Sequence, residues 1–295
     1  MKVALAYISI ILIWSTTPLA IKWSGEGPGF IFGVAARMAI GGILIWVFQL
    51  LFRKRLPGHR KALQTYLAVA LQIYGAMMAV YWAAQFIPSG WLSVIFGLSP
   101  FVTALLAAIF LKERSLTISK LLSYILGISG LAVIFSSALQ INITAAQGIV
   151  GVLTAVFLQS ASAVWVKRIK AGLSGLSQVA GGLLFALPAY LITWYLTSEG
   201  LWPEHLSNRN LYSIIYLGTV ATTIGFSLYY YILLHLSATS VAMLTLVSPV
   251  LALYLGHTLN QEPLSLKIAT GTALILSALL IHEFFDRFFL KILKQ

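Results

Sequence analysis

The hydrophobic pattern of the chain consists of long apolar runs separated by short polar connections. Runs of about 20 residues, the length that a helix needs to cross a bilayer, can be placed ten times. They lie at 3–22, 30–52, 63–86, 89–111, 118–137, 146–167, 175–197, 210–233, 237–259 and 265–285. The pattern therefore predicts an all-α membrane protein with ten transmembrane helices and no soluble domain between them.

Composition and charge placement agree with this prediction. Hydrophobic residues make up 60% of the chain, charged residues only 9%, and the mean hydropathy is +0.93. The net charge of +12 could suit nucleic acid, but most of the basic residues lie in connections on one side of the predicted bundle. By the positive-inside rule that side is cytoplasmic. We expect no nucleic-acid partner, both termini in the cytoplasm, and a location in a bacterial cytoplasmic (inner) membrane.

The two halves of the chain share features at a fixed spacing. A shift of 149 residues superposes Ser99-Pro100 on Ser248-Pro249, Tyr81 on Tyr230 and Glu113 on Glu262, and a shift of 145 matches Ser15 to Ser160. Five spans per half is an odd number, so the second half must enter the membrane in the opposite direction. This predicts two inverted five-helix repeats, residues 1–140 and 141–295, the architecture of many secondary transporters.

Four stretches resemble a known family. They are LIWSTTPLAIK, YWAAQFIPSGWLSVIFGLSP, FLKERSL and LVSPVLALYLGHTLNQEPLS, and together they are similar to the ten-helix EamA-type exporters of the drug/metabolite transporter superfamily. The first half also resembles the four-helix small multidrug resistance exchangers. In that comparison, the carboxylate with which those exchangers couple protons to cations falls on Trp14, and its second-half counterpart on Gln159. The resemblance therefore puts proton-for-cation exchange in doubt.

The same resemblance implies which residues line a substrate cavity. It carries the cavity-lining aromatic positions of the small exchangers onto Ser93, Phe96 and Tyr74, and the 149-residue shift gives Ala242, Thr245 and Thr223 as their counterparts. The substrate-binding residues that we expect are Trp14, Ser15, Thr17, Arg37, Tyr74, Tyr81, Ser93, Phe96, Gln159, Ser160, Thr223, Tyr230 and Thr245. We expect no catalytic residue, no metal site and no cofactor, and the chain has no Cys.

Polar residues inside spans need a partner or a function, because burying them in hydrocarbon is costly. Pro18 leaves the carbonyl of Trp14 without its helical partner, and the hydroxyls of Ser15 and Thr17 lie close to that break. Alternatively, the small hydroxylated side chains of Ser15 and Thr17 allow neighbouring helices to pack closely and to form hydrogen bonds with each other. The two Ser-Pro pairs predict kinks.

Arg37, in the second span, has two interpretations. In the first, the guanidinium is a structural anchor that bonds to helix-end carbonyls or to Glu262. In the second, Arg37 attracts a substrate carboxylate, to which its forked guanidinium can donate two hydrogen bonds. The acidic residues all lie at span ends or in loops, and we expect Glu113 and Glu262 to stabilise tight connections. A pathway with a buried arginine and no buried acid favours a neutral, zwitterionic or anionic solute over a lipophilic cation.

These patterns favour a monomeric secondary transporter that exports a small metabolite, such as an amino acid, by alternating access. Multidrug transport, transport of sugar derivatives such as nucleotide sugars, and uptake remain alternatives. A membrane-embedded enzyme would need a nucleophile with a base or a metal site, and the chain contains no GxSxG or HExxH motif. A channel would more naturally show rings of charged groups or carbonyls.

Overall fold

Ten helical segments account for almost all of the described chain and follow its apolar runs. The structure, a computed structural model, describes residues 2–53, 55–112, 118–141, 143–198 and 201–281. In chain order the segments are α1 (Lys2–Gly25), α2 (Phe30–Leu51), α3 (Arg60–Ala83), α4 (Ser89–Leu111), α5 (Ile118–Ile141), α6 (Ile143–Ile169), α7 (Gly175–Ser198), α8 (Asn208–His235), α9 (238–260) and α10 (Leu266–Leu280). None of the described residues lies in a β-strand.

Seven of these segments, α1–α4 and α6–α8, are long and apolar enough to cross a bilayer. Shorter apolar helices are found in α5 (Leu122–Ala138) and α10 (Leu266–Leu280), and a 3₁₀ turn at Met243–Leu246 interrupts α9. Large apolar side chains cover the outside of the bundle, and Leu196 and Leu266 are 75% and 81% exposed. Helices satisfy their own backbone hydrogen bonds, and such an apolar surface is stable in hydrocarbon. The fold is that of a polytopic helical membrane protein.

Both α3 and α8 contain a stretch of π-helix, at Leu71–Ala76 and Leu217–Phe226. In these wider turns backbone hydrogen bonds span five residues instead of four, and some carbonyls need other donors. The Tyr190 hydroxyl of α7 donates to the carbonyl of Ile73 at 2.5 Å, and the Thr223 hydroxyl donates to that of Gly218 at 2.9 Å. In both π-stretches a side-chain hydroxyl therefore satisfies one of the backbone carbonyls.

The helices α4 and α9 are interrupted at corresponding points. In each, a turn precedes a Ser-Pro pair, and the helix resumes at Ser99 or Ser248 with proline in its first turn, where the missing N–H breaks no helical bond. These are the positions at which the Ser-Pro pairs predict kinks. Each helix then ends next to a left-handed residue, Lys112 with φ 56° and ψ 29° or Gln261 with φ 53° and ψ 31°.

Close packing brings α8 against α2 at two glycines. A Cβ on Gly41 would lie 2.4 Å from Cγ2 of Thr222, and one on Gly218 would lie 2.7 Å from Cβ of Ile40. Both distances are too short for any larger side chain without movement of the helices. The two glycines therefore allow the π-stretch of α8 to lie directly beside Arg37.

A hydrogen-bonded network joins the two halves of the chain at the end of the bundle that holds the α1–α2 loop. The Glu262 carboxylate accepts bonds from the Ser89 amide and hydroxyl, both at 2.9 Å, and from the Gly90 amide at 3.2 Å. Asn260 donates to Glu262 at 2.9 Å and accepts from the Trp23 indole at 2.8 Å. We call these five residues the Glu262 network.

The network changes the interpretation of Glu262. Its side chain does more than stabilise a local connection, because it caps the N-terminus of α4, where backbone amides attract an anion. It is also not a partner of Arg37 in the described contacts. Glu113, its counterpart in the first half, lies outside the described residues.

We expect Gly41→Val to lower the thermal stability of the detergent-solubilised protein, because the added methyl groups would overlap Thr222. Overpacking of this kind costs about 1–3 kcal/mol. Gly58→Val is the matched control, since a Cβ at Gly58 meets no atom within 4 Å. Equal melting temperatures for the two variants would contradict the close α2–α8 contact.

Candidate functional site

A cavity lies in the middle of the bundle, where helices from both halves meet. It contains about 620 Å³ of empty space, but only about 70 Å³ of this is wide enough for the centre of a water molecule. Side chains of seven helices line it: Trp14, Thr17, Pro18, Ile21, Arg37, Met77, Val80, Leu92, Ser93, Phe96, Gln159, Ala221, Phe226, Thr245 and Ser248. The cavity is therefore narrow, largely apolar, and lined at a few points by polar groups.

Arg37 provides the positive charge of this cavity, and it is only 1% exposed. Its Nε donates to the Thr222 hydroxyl at 3.2 Å, and its guanidinium carbon lies 5.9 Å from the centre of the Tyr81 ring. Nη1 has no hydrogen-bond partner in the part of the chain that the structure describes. A buried charged donor without a partner is costly, so this group is suited to an anionic ligand.

No carboxylate is present among the cavity-lining residues of the described chain. A guanidinium attracts a carboxylate strongly in a site from which water is largely excluded, because the local dielectric constant is low. Its planar fork can also donate two parallel hydrogen bonds to one carboxylate. The electrostatics of the cavity therefore favour an acidic or zwitterionic solute over a cation.

A chain of buried polar side chains holds Gln159 in the cavity wall. Nε2 of Gln72 donates to Oε1 of Gln159 at 3.4 Å, and Oε1 of Gln72 accepts from the Tyr230 hydroxyl at 2.6 Å. The Tyr230 hydroxyl is also 3.2 Å from that of Ser162. With its oxygen occupied in this way, Gln159 has its amide N–H groups left to donate to a ligand.

The break that Pro18 makes in the hydrogen bonding of α1 lies at the cavity. Thr17 donates to the Ile13 carbonyl at 2.7 Å, so its hydroxyl oxygen can still accept a bond from a ligand. The Trp14 ring packs against that of Tyr229 with 5.3 Å between centroids. The contact with Tyr229 positions the indole in the cavity wall.

Seven of the residues expected from the sequence line the cavity: Trp14, Thr17, Arg37, Ser93, Phe96, Gln159 and Thr245. The other six do not line it. Tyr81 contacts the lining residue Arg37, and Tyr230 is connected through Gln72 to the lining residue Gln159.

The remaining four expected residues have bonds elsewhere in the bundle. Ser15 donates to the Ile11 carbonyl at 2.7 Å, and Thr223 supports the π-stretch of α8. The Tyr74 hydroxyl lies 2.7 Å from that of Thr193, and Ser160 accepts from Thr103 at 2.9 Å. The bonds of Ser15 and Thr223 lie within their own helices, whereas those of Tyr74 and Ser160 join neighbouring helices.

The sequence interpretation missed two polar residues beside the cavity, Gln72 and Thr222. Both are completely buried and lie in the π-stretches. A polar amide and a hydroxyl in the middle of predicted spans are themselves a signal, and applying this criterion to every span would have identified them. The apolar wall residues, such as Met77 and Phe226, carry no comparable signal.

A polytopic helical bundle with a central cavity lined by residues from both halves of the chain is typical of a membrane transport protein. Comparison with protein families identifies which kind: the EamA-like transporter family matches residues 1–136 and 146–282. These ranges cover nearly the whole chain, and the chain belongs to this family.

Relatives match over nearly their full length. The uncharacterized transporter YoaV of Bacillus subtilis is 25% identical over 286 residues, covering 96% of this chain and 97% of its own. A protein of Streptantibioticus cattleyicolor named as a probable terminal-alkyne amino-acid exporter is 26% identical, over 96% of this chain and 94% of its own. A crystal structure with 20% sequence identity superposes with a TM-score of 0.72 over 97% of this chain and 99% of its own, which supports the fold.

We expect Trp14→Ala to lower transport while leaving membrane insertion unchanged, because it removes an aromatic wall of the cavity. Trp14→Phe keeps a ring that can pack on Tyr229 and should retain more activity. Uptake into proteoliposomes of equal protein content measures the effect. Transport by Trp14→Ala equal to that of the unmodified protein would contradict a role for Trp14 at the substrate.

Proposed function

We propose that this EamA-family transporter exports a small metabolite that carries a carboxylate, such as an amino acid, across the bacterial cytoplasmic membrane. The observation that carries the proposal is Arg37, buried in the central cavity with Nη1 unpartnered in the described chain. The name of the Streptantibioticus relative is consistent with it. The absence of a carboxylate among the described lining residues argues against a cationic drug as substrate.

The proposed architecture is ten transmembrane helices in two inverted repeats, residues 1–140 and 141–295. The left-handed residues Lys112 and Gln261 are 149 positions apart, as are the helix starts at Ser99 and Ser248. The family model matches two ranges, 1–136 and 146–282, and this supports a division near residue 140. Both termini are cytoplasmic in this proposal, because most basic residues of the connections then lie inside, and the functional unit is a monomer.

Alternating access requires that the two ends of the cavity open in turn. The Glu262 network joins the first-half residues Trp23 and Ser89 to second-half residues at the α1–α2 end, which is the outer end in this topology. Asn210 of α8 adds to this closure by donating to the carbonyls of Trp23 and Glu26, both at 2.6 Å. We infer that the network is the closed outer gate and that its rupture opens the cavity outward.

A counterflow assay tests the proposed function. Proteoliposomes that are loaded with one amino acid should take up the same labelled amino acid from outside, in a saturable manner. A panel of amino acids and related monocarboxylates is needed, because the proposal concerns a chemical class of substrate and not one compound. A complete lack of saturable exchange across the panel, with correctly inserted protein, would contradict the proposal.

We expect Arg37→Gln to weaken transport of carboxylate substrates more than that of their amides. A hydrogen bond to a charged group contributes about 1.5–3 kcal/mol, which corresponds to roughly a 10- to 150-fold change in half-saturating concentration. Competition in the counterflow assay measures it, and Arg60→Gln, an exposed substitution at the start of α3, is the control. An equal loss for acids and amides would assign Arg37 to a structural role.

We expect Glu262→Ala to populate the outward-open state. The chain has no Cys, so a single cysteine at Leu92, in the cavity wall, can report access to a membrane-impermeant thiol reagent from outside. Labelling should be faster with Glu262→Ala than without it, whereas Glu204→Ala, in the α7–α8 loop, should change nothing. Unchanged labelling with Glu262→Ala would show that the network is not the gate.

A further inference from the structure

A second cavity lies outside the central site, as a groove between α4 and α6. It is wide enough for a water-sized group over about 340 Å³, compared with about 70 Å³ in the central cavity. Its walls are apolar except at one position: Leu106, Phe110, Phe157, Ala161, Val164, Trp165 and Arg168. The site is therefore amphipathic, with an apolar trough and one guanidinium.

The shape of the groove follows from the sequence of α6. Phe157, Ala161 and Trp165 recur every four residues and thus lie on one face of the helix. The small Ala161 between two large rings creates the depth of the groove. From Phe157 to Arg168 the helix rises about 16 Å, which is close to half of the roughly 30 Å hydrocarbon thickness of a bilayer. The groove therefore has the length of one leaflet.

The charge at the end of the groove is available to a ligand. Arg168 is exposed, and its guanidinium carbon lies 5.8 Å from the centre of the Phe110 ring. Among the described residues, no carboxylate forms an ion pair with it. Lys170 is also exposed at the same end of the bundle, and further positive charge there favours an anionic head group.

We propose that this groove binds a phospholipid with an anionic head group. One acyl chain lies in the trough between Phe157 and Trp165, and the phosphate accepts hydrogen bonds from Arg168. The two parts of such a lipid match the two parts of the groove in polarity and in length. Juxtamembrane basic residues attract anionic lipids by about 1 kcal/mol each, and the trough adds a position for the chain.

The site has a structural connection to the interface between the halves. The hydroxyls of Thr103 on α4 and Ser160 on α6 are 2.9 Å apart, and Ser160 is adjacent in sequence to Ala161 of the trough. A lipid chain between these helices therefore lies next to a contact that joins the first half to the second. Bound lipid should favour the arrangement in which α4 and α6 keep this separation.

Native mass spectrometry of the purified full-length protein tests the proposal without a transport assay. Titration with phosphatidylglycerol and with phosphatidylcholine of the same acyl chains should give tighter retention of phosphatidylglycerol. Arg168→Gln should weaken phosphatidylglycerol retention roughly fivefold, the value expected for one basic residue near the surface. Arg168→Lys should keep most of it, and Arg60→Gln, at the same end of the bundle, is the matched control.

A second variant tests the trough. Ala161→Phe fills the space between the rings of Phe157 and Trp165 and should reduce the retention of both lipids. The elution volume and the melting temperature of this variant show whether it is folded. Equal retention of the two lipids by the unmodified protein, or an Arg168→Gln effect no larger than that of Arg60→Gln, would overturn the proposal. Unchanged binding by folded Ala161→Phe would overturn the assignment of the acyl chain to the groove.

Discussion

The structure of the central site depends on holding a guanidinium inside an apolar bundle. Arg37 is stabilised there by one hydrogen bond to Thr222 and by the face of the Tyr81 ring. Thr222 can reach it only because Gly41 and Gly218 allow α2 and α8 to pack closely. The remaining donor capacity of the guanidinium is unpaired at Nη1, and this makes the cavity receptive to a carboxylate.

The π-stretches contribute two buried polar side chains, Gln72 and Thr222, whose hydrogen bonds link the two halves of the chain. Gln72 in α3 connects the cavity residue Gln159 to Tyr230 of α8, and Thr222 in α8 connects to Arg37 of α2. Each π-stretch thus provides a polar group that crosses from one half of the chain to the other. In the proposed alternating-access mechanism, movement of the halves against each other would break or shift these bonds.

The sequence predicts the helices well because a bilayer-spanning helix needs a long apolar run, and such runs are easily recognised. The sequence also predicts that Arg37 lines the cavity, because an ionisable residue in a span is rare. The resemblance to the small exchangers predicts the same for Trp14 and Gln159. The sequence does not predict which faces of the helices meet. Tyr74 and Ser160 are polar residues in spans like the others, yet their hydroxyls bond to Thr193 and Thr103 instead of facing the cavity.

The local geometry explains the remaining differences. Glu262 follows a helix and looks like a loop residue, but the left-handed Gln261 before it turns the chain, and its carboxylate caps α4. No sequence pattern specifies this long-range pairing.

A structure determined with a transported substrate bound tests the role of Arg37 most directly. We predict that a substrate carboxylate oxygen lies about 2.7–3.0 Å from Nη1 of Arg37, within the cavity between Trp14 and Gln159. A substrate whose carboxylate is bound elsewhere, with Nη1 bonded to the protein's own carbonyls, would contradict it.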